Sequence, residues 1–551
     1  MQIFLKTSWT RLATGLLFIL ITLTLFAIAM SRGLNRDEHQ FVAAGAMLAQ
    51  HGLLPYRDYP YFHVPNLVFV YAALFRCSNC LLLTSRLFSV VCSLCLLVII
   101  YVFTARRLGH LTKGPRFGVS AVVTTCAFAD PLFRSTYWRA WNHAFPVLLI
   151  VLAFLCYLQS RVRDRAGSWI LATGLLTGLA AGSRLTLATA AFAFLLAIFF
   201  GGLGRSAWRH AGWLSAGLIL GALPTLVLFA LFPKQFVFGN LTYNDRLYPM
   251  LCSANGLKAQ MSFSYKIVYF FSHILSQPGN AALTIGVVYF LARSSCWREA
   301  LHRPFWLLPL LICFLLFSAL IPAIPLPQYF YAPMPFVVLG LAIAISRTRS
   351  IILPDYLTLS LVTVICFAST TGDYHYLLRL GRPDQWTTVK VHRVGRQLAV
   401  ATGGGTILSL TPIFPLEGGI NIYPEMTAEP FACRGALLMP PAERPEHKML
   451  GPDDLPELAA NTSPQGILVG SECLLEETMT RFARASGYRA LPLDLGLTIF
   501  LPPATASPSR ANLVTKDRSM ESAAEMNPLE IQFAPVWLEP PAAETNSERL
   551  K

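Results

Sequence analysis

Long apolar runs broken by short basic stretches recur along the first two thirds of the chain. A helix needs about 20 residues to cross the hydrocarbon core of a bilayer. Windows approaching that length lie at residues 12–30, 84–105, 117–133, 144–159, 168–183, 185–201, 211–232, 281–291, 305–321, 329–345 and 356–371. Basic residues gather on one parity of loop: Arg106, Arg107, Lys113 and Arg116, then Arg161, Arg163 and Arg165, then Arg293, Arg298 and Arg303, then Arg347 and Arg349. Cytoplasmic loops carry such an excess. The pattern therefore predicts about eleven spans, an N-terminus inside behind Lys6 and Arg11, and everything after residue 371 outside. The first run exceeds the roughly 7–15 residues of a signal-peptide core, which favours a retained span over cleavage near Ala27-Ile28-Ala29. Residues 64–75 are too short to cross and read as lying at the interface. A crossing there would place the basic cluster at residues 106–116 outside. Residues 263–275 fit either an in-plane helix or half of a longer crossing.

From Asp373 onward the long runs give way to short alternations. Residues 386–401 have helical periodicity, 406–410 and 466–470 read as short buried strands, 472–487 as a helix and 495–501 as another strand. The expected fold class is mainly α: a polytopic transmembrane helical domain over residues 1–371, with an outer loop at 31–83, followed by a small extracytoplasmic α/β domain over 372–503. From about Ala504 to Lys551, Ala, Pro, Ser and Glu dominate without apolar periodicity, which predicts a disordered tail.

Composition agrees with the membrane reading and removes one rival. Of 551 residues, 54% are hydrophobic and only 13% charged, far from the balance of a soluble globular chain. The net charge of +15 could suit nucleic acid, but 21 of the 29 acids fall from Asp373 onward. The membrane half is thus strongly basic, as positive-inside loops require, and no nucleic-acid partner is expected. The twelve cysteines are scattered, several within apolar runs where a thiol acts as a small hydrophobe. Cys77 and Cys80 form a Cys-x-x-Cys with no second pair at ligand spacing, so it does not read as a zinc site. Cys433 and Cys473 share the outer part, where a disulfide is one alternative.

Because acids are scarce, residues 35–66 stand out. They hold Asp37, Glu38 and Asp58, three of the eight acids found before Asp373. A helical pattern opens behind Asn35 as N-cap and closes at Gly52, where a positive φ would end it. An Asp-Glu pair after the first span, an in-plane helix ending in Gly, and an aromatic stretch Pro55-Tyr56-Arg57-Asp58-Tyr59 running to His63 and Pro65 together resemble the GT-C superfamily of polytopic glycosyltransferases. That superfamily includes protein O-mannosyltransferases and the bacterial transferases that modify lipid A, including those that add aminoarabinose. The resemblance implies an inverting transfer of a sugar from a polyprenyl-phosphate carrier to a lipid, glycan or protein acceptor, with membrane lipids around the site. It implies that Asp37 is the general base, and it brings Glu38 and Asp58 into the catalytic set. Each acid also has a structural alternative. Asn35-x-x-Glu38 fits a capping box, which a Gln would satisfy equally, and Asp58 could simply close a turn or pair with Arg57.

A donor phosphate at the membrane surface needs cations, and the planar fork of Arg matches its oxygens. The outer candidates are Arg57, His63, Arg139, His143 and Arg184. Arg139 and His143 stand at i and i+4 in RSTYWRAWNHAFP, and Arg184 lies at the tip of the Gly-rich GLLTGLAAGSRLT. Arg184 could serve a site or only reach toward headgroups. The turn Pro325-Leu326-Pro327-Gln328-Tyr329 resembles an outer turn of the family whose polar residue and Tyr face the donor. Gln328 stands there where a basic residue is common. No phosphate-cradling GxxxxGK[ST] motif is present, and Gly403-Gly404-Gly405 precedes a strand rather than a helix, so a nucleotide-sugar donor is not expected. Relatives with pyrophosphate donors use a divalent ion and those with monophosphate donors none. A second outer Asp-x-Asp is absent, so the expectation is no cofactor, with a divalent metal as the alternative. The competing classes are a transporter or lipid flippase, which would place charges mid-span, and a noncatalytic envelope scaffold. The expected location is a bacterial inner membrane. Cysteines introduced at His51 and Ser463, in a background without exposed thiols, should both react with an impermeant reagent from the outside; labelling at only one breaks the eleven-span reading.

Overall fold

The structure, a computed structural model, describes residues 2–162, 165–200, 206–294, 306–348, 350–470 and 476–503. The expected disordered tail from Ala504, Arg163, Arg298, Arg303, Arg349 and Cys473 lie outside the described residues. The chain begins with α1 (Gln2–Ser31), the amphipathic α2 (Arg36–His51), the short α3 (Asn66–Phe75) and the long α4 (Leu81–Arg107). Beyond these, helices fall on every apolar window named above, from Lys113–Phe128 to Leu353–Ala368. Among the described residues, three helices are singly long and apolar enough to cross a membrane: Leu12–Ser31 within α1, α4, and Pro327–Ser346. Three bent pairs raise the number to 6 if each is one span, and the shorter apolar helices are of 10–17 residues. The protein is an integral membrane protein. Residues 263–275 belong to one of the bent pairs, meeting Pro278–Arg293 at 89°; Pro278, at the first turn of the second helix, has no N–H to carry the ladder across the break.

Lipid tails give helices no hydrophobic reason to associate, so close packing has to supply the attraction. Helices Ala166–Ala181 and Ala207–Gly221 meet through Gly174 and Gly178 on one side and Gly217 and Gly221 on the other. A Cβ on Gly178 would stand 2.3 Å from the Leu218 carbonyl oxygen, and one on Gly221 2.1 Å from that of Leu175. Each helix thus carries two glycines four apart that admit the partner's backbone. Gly178→Ala should lower the thermal midpoint of the detergent-solubilised protein, at a cost of about 1–3 kcal/mol for overpacking. Gly212→Ala, whose added methyl meets nothing within 4 Å, should leave it unchanged.

The C-terminal part carries a four-stranded sheet of β1 (Ile407–Ser409), β2 (Gly466–Val469), β3 (Arg489–Pro492) and β4 (Thr498–Leu501), in the order β1-β2-β4-β3. β1 and β2 are parallel with Leu408 opposite Ile467; β4 runs antiparallel to both of its neighbours, with Ile499 opposite Leu468 and Phe500 opposite Ala490. The edge strand β3, largely exposed and ending in Pro, has none of the buried apolar run that marks β2, which is why periodicity did not reveal it. Helix Thr387–Thr402 precedes the sheet and stops at Gly403, whose φ is +67°. One apolar core contains Phe41 and Val42 of α2, Tyr71 of α3, and Val391, Ile407, Leu497 and Ile499 of the C-terminal part. Thr387 donates to the Ser31 carbonyl at 3.0 Å, and the buried Glu417 carboxylate accepts the Leu81 amide at the start of α4. The first loop and the C-terminal part therefore occupy the same end of the helical bundle.

Candidate active site

The site begins with a helix start. The Asn35 side chain accepts the Asp37 amide at 3.0 Å, and Glu38 accepts the Asn35 amide at 2.8 Å, a reciprocal cap on α2. Gly52, at φ +68°, closes the helix. Adjacent helical positions point about 100° apart, so the two acids diverge. Glu38 turns into the protein and has no exposure, as does Arg86 of α4. Their fork is bidentate, with Arg86 Nε and Nη2 donating to Glu38 at 2.8 and 2.7 Å. Arg86 also donates to the carbonyls of Ala29, Arg32 and Gly33, and Glu38 accepts the Ala140 amide at 2.8 Å. Burial alone would raise the Glu38 carboxyl, but the charge and hydrogen bonds of Arg86 and the two amides turn the net shift downward.

The aromatic stretch is pinned by polar contacts of its own. Asn240 donates to the Tyr56 hydroxyl at 3.0 Å, and that hydroxyl donates to the His63 carbonyl. Asp58 accepts the Leu54 amide at 2.7 Å and pairs with Arg57 at 2.8 Å, closing the turn on the surface. Asn66 ties the end of the loop to the glycine-packed helices, donating to the Gly221 carbonyl at 3.1 Å and accepting Thr225 at 3.1 Å.

These contacts frame a cavity of about 690 Å³, within the range of small-molecule sites. Asp37, His63, His143, Arg184, Gln328 and Tyr329 all line it, so six of the residues singled out from the sequence converge from four separate parts of the chain. Glu38, Arg57, Asp58 and Arg139 do not line it. Arg139 stands behind Asp37, stacked over Trp138 at 4.9 Å and Trp141 at 4.5 Å. The Asp37 carboxylate accepts no hydrogen bond among the described residues. Burial raises its pKa above the ordinary value, Arg139 opposes that rise and Glu38 adds to it. Arg184 is pushed down to about 10 by burial; its guanidinium lies 5.2 Å over the Tyr329 ring, and Nε donates to Thr186 at 3.2 Å. Burial and the Arg184 charge push His63 down to about 3.

Other cavity residues carried weaker signals in the sequence. Asn240, Thr242, Asn244, Asp245 and Arg246 line one wall from a π-helical stretch, Phe238–Leu247, a distortion that recurs at functional sites. In the sequence they stand only as a cluster of polar residues after an apolar run. Arg86, which does not line the cavity, is a lone arginine inside the window at 84–105 that the sequence reading passed over. Phe431, from the C-terminal part, also lines the cavity, and nothing local in the sequence marks it. Asp37 and Asp245 are the cavity's carboxylates, and among the described residues no three His, Cys, Asp or Glu side chains are grouped to hold a metal ion.

The architecture has solved counterparts. ArnT from Cupriavidus metallidurans bound to undecaprenyl phosphate superposes with a TM-score of 0.59 at 14% identity, covering 90% of this chain and 99% of that one. The chain has the GT-C fold. ArnT in the apo state gives 0.56 at 12% identity over 89% of this chain and 98% of that one. The oligosaccharyltransferase of Archaeoglobus fulgidus, in complex with Zn and sulfate, gives 0.48 at 11% identity over 89% and 74%. No family model matches the sequence, and no curated protein does. The shared fold thus extends over nearly the whole chain, at identities of 12–14%.

The pairing with Arg86 changes what a substitution at Glu38 does. A Gln keeps the helix cap but leaves a fully buried guanidinium without its counter-charge. Removing one member of such a pair costs about 3–5 kcal/mol. Glu38→Gln should therefore lower the thermal midpoint sharply in detergent, whereas Asp58→Asn on the exposed turn should change it little.

Proposed function

We propose that the protein is an inverting membrane glycosyltransferase that moves a sugar from a polyprenyl-phosphate carrier to an acceptor on the outer face of the membrane. The observation that carries the proposal is the placement of Asp37, a carboxylate with no hydrogen-bond partner among the described residues, in one cavity with Arg184, His63, His143 and Tyr329. Transfer of this kind needs a base for the acceptor and cationic or hydrogen-bonding groups for the leaving phosphate, at the mouth of a membrane domain. The acceptor oxygen attacks the anomeric carbon on the face opposite the phosphate, and its proton passes to Asp37. The bond from that carbon to the phosphate oxygen breaks, and the electron pair leaves with the polyprenyl phosphate. Arg184 meets the departing oxygens with a planar fork, and Tyr329 beneath it holds that fork in place. Gln328 and the amides of the π-helical wall are suited to sugar hydroxyls. The ArnT structure that shares this fold holds undecaprenyl phosphate, which supports a lipid phosphate as the donor's carrier.

Charge placement weighs against a transporter. Arg86, the charge inside the window at 84–105, is clasped by Glu38 and by three backbone carbonyls. It is committed to structure rather than to a moving ion. The parity of the basic loops supports an N-terminus in the cytoplasm and a cavity outside, and the proposal takes the chain as an eleven-span protein of a bacterial inner membrane.

Asp37→Asn should abolish transfer from a polyprenyl-phosphate sugar, with a loss of at least about 10²–10⁴-fold in rate, while the protein stays folded. In the unaltered protein only the ionised base works, so the rate should fall as pH drops through the raised Asp37 pKa, above the ordinary carboxylate range. Near-normal turnover of Asp37→Asn with a defined donor and acceptor overturns the assignment.

A further inference from the structure

The cavity contains a group that the transfer step as described leaves without a task. His143 is only 4% exposed, yet neither of its ring nitrogens has a hydrogen-bond partner. The ring lies 4.2 Å from that of Trp141 and lines the cavity wall. A buried imidazole left unpaired costs stability, so a ligand atom is the natural partner for at least one nitrogen. We infer that His143 is a proton-loaded counter-charge for the leaving phosphate, becoming imidazolium when a polyprenyl phosphate monoester occupies the cavity and neutral when it departs. The inference rests on the proposed transferase reading and adds where the second negative charge is balanced.

The charge count leads to this. The sugar phosphodiester arrives with one negative charge. Once the bond to the anomeric carbon breaks, the phosphate is a monoester whose second ionisation lies near pH 6, and it holds two charges above that. Arg184 balances one. The charged and titratable groups that act on His143 are Arg184 from the helix tip, Arg139 from its own stretch behind the cavity wall, and His63 from the first loop. Burial first, and then these neighbours, hold the imidazole well below its usual pKa. It is therefore neutral when nothing is bound. Asp37, Asp245, Arg246, Tyr243, Tyr248 and Tyr329 are the other ionisable groups on the walls. A dianion placed against the ring reverses the field and raises its proton affinity. Between the depressed free pKa and the raised bound one, binding takes up a proton. Affinity must therefore fall as pH rises through that window, by up to about tenfold per unit. No atom is lost from the transfer itself: Asp37 holds the acceptor's proton, and the imidazolium proton comes from solvent with the phosphate.

The test uses the full-length protein in detergent, with undecaprenyl phosphate as probe. Titration calorimetry near pH 7.5, in two buffers of different ionisation enthalpy, counts the protons taken up, under conditions where the probe is already dianionic. The expected result is close to one proton per bound molecule for the unaltered protein, and close to none for His143→Gln. Affinity should also drop about tenfold from pH 7.5 to 8.5 in the former and stay nearly level in the latter. Binding without proton uptake by the unaltered protein overturns the role of His143 and leaves the transferase reading standing, and this arm needs no variant to fold. Uptake that persists in His143→Gln, or that disappears in His63→Gln instead, also overturns it. No binding of undecaprenyl phosphate at either pH overturns the transferase reading itself.

Discussion

Two charges without exposure to solvent, Glu38 and Arg86, hold four segments of the chain in one arrangement. Arg86 reaches from α4 to the carbonyls at the end of α1, and Glu38 fixes the first turn of α2 while accepting an amide from the stretch that carries Arg139. Desolvating an ion pair is costly, and only a bidentate geometry with every remaining lone pair satisfied offsets it. Such completeness leaves one geometry available. Because Asp37 is the residue before Glu38, the pair decides which way the Asp37 carboxylate faces and how far it stands from the opposite wall.

The opposite wall is built by a different kind of force. Where helices Ala166–Ala181 and Ala207–Gly221 touch, the contact is backbone on backbone through glycines. Arg184 sits three residues beyond the end of the first of them, and Asn66 locks the end of the first loop onto the same pair. The distance from the Asp37 carboxylate to the Arg184 guanidinium is therefore set by two constructions, one ionic and one steric, meeting across the cavity. Flexible loops do not set it.

Much of this was readable from residues alone, and the boundary between what was and what was not has a physical reason. The apolar windows, the cap at Asn35, the stop at Gly52 and the tip at Arg184 are local signals, each carried by a few neighbouring residues. The convergence of Asp37, His63, His143 and Arg184 followed from a family pattern and from counting which side each loop faces. Arg86 went unremarked in its apolar run, because its partner lies 48 positions away and no spacing rule links them. Phe431 and the unforeseen edge strand β3 depend on how the last quarter of the chain docks. The helix cap at Glu38 was legible and yet incomplete, since a side chain can cap a helix and neutralise a buried cation with the same two oxygens.

The shared core between α2, α3 and the C-terminal sheet bears on biogenesis. The membrane helices emerge from the ribosome first, while Phe431 and the residues that bury Phe41 and Val42 come hundreds of residues after Asp37. Until those segments have folded back, the apolar face of α2 lacks part of its cover and the cavity lacks Phe431 from its lining. The order of synthesis therefore leaves the cavity incomplete while the helices assemble, and the docking of the last quarter of the chain finishes it.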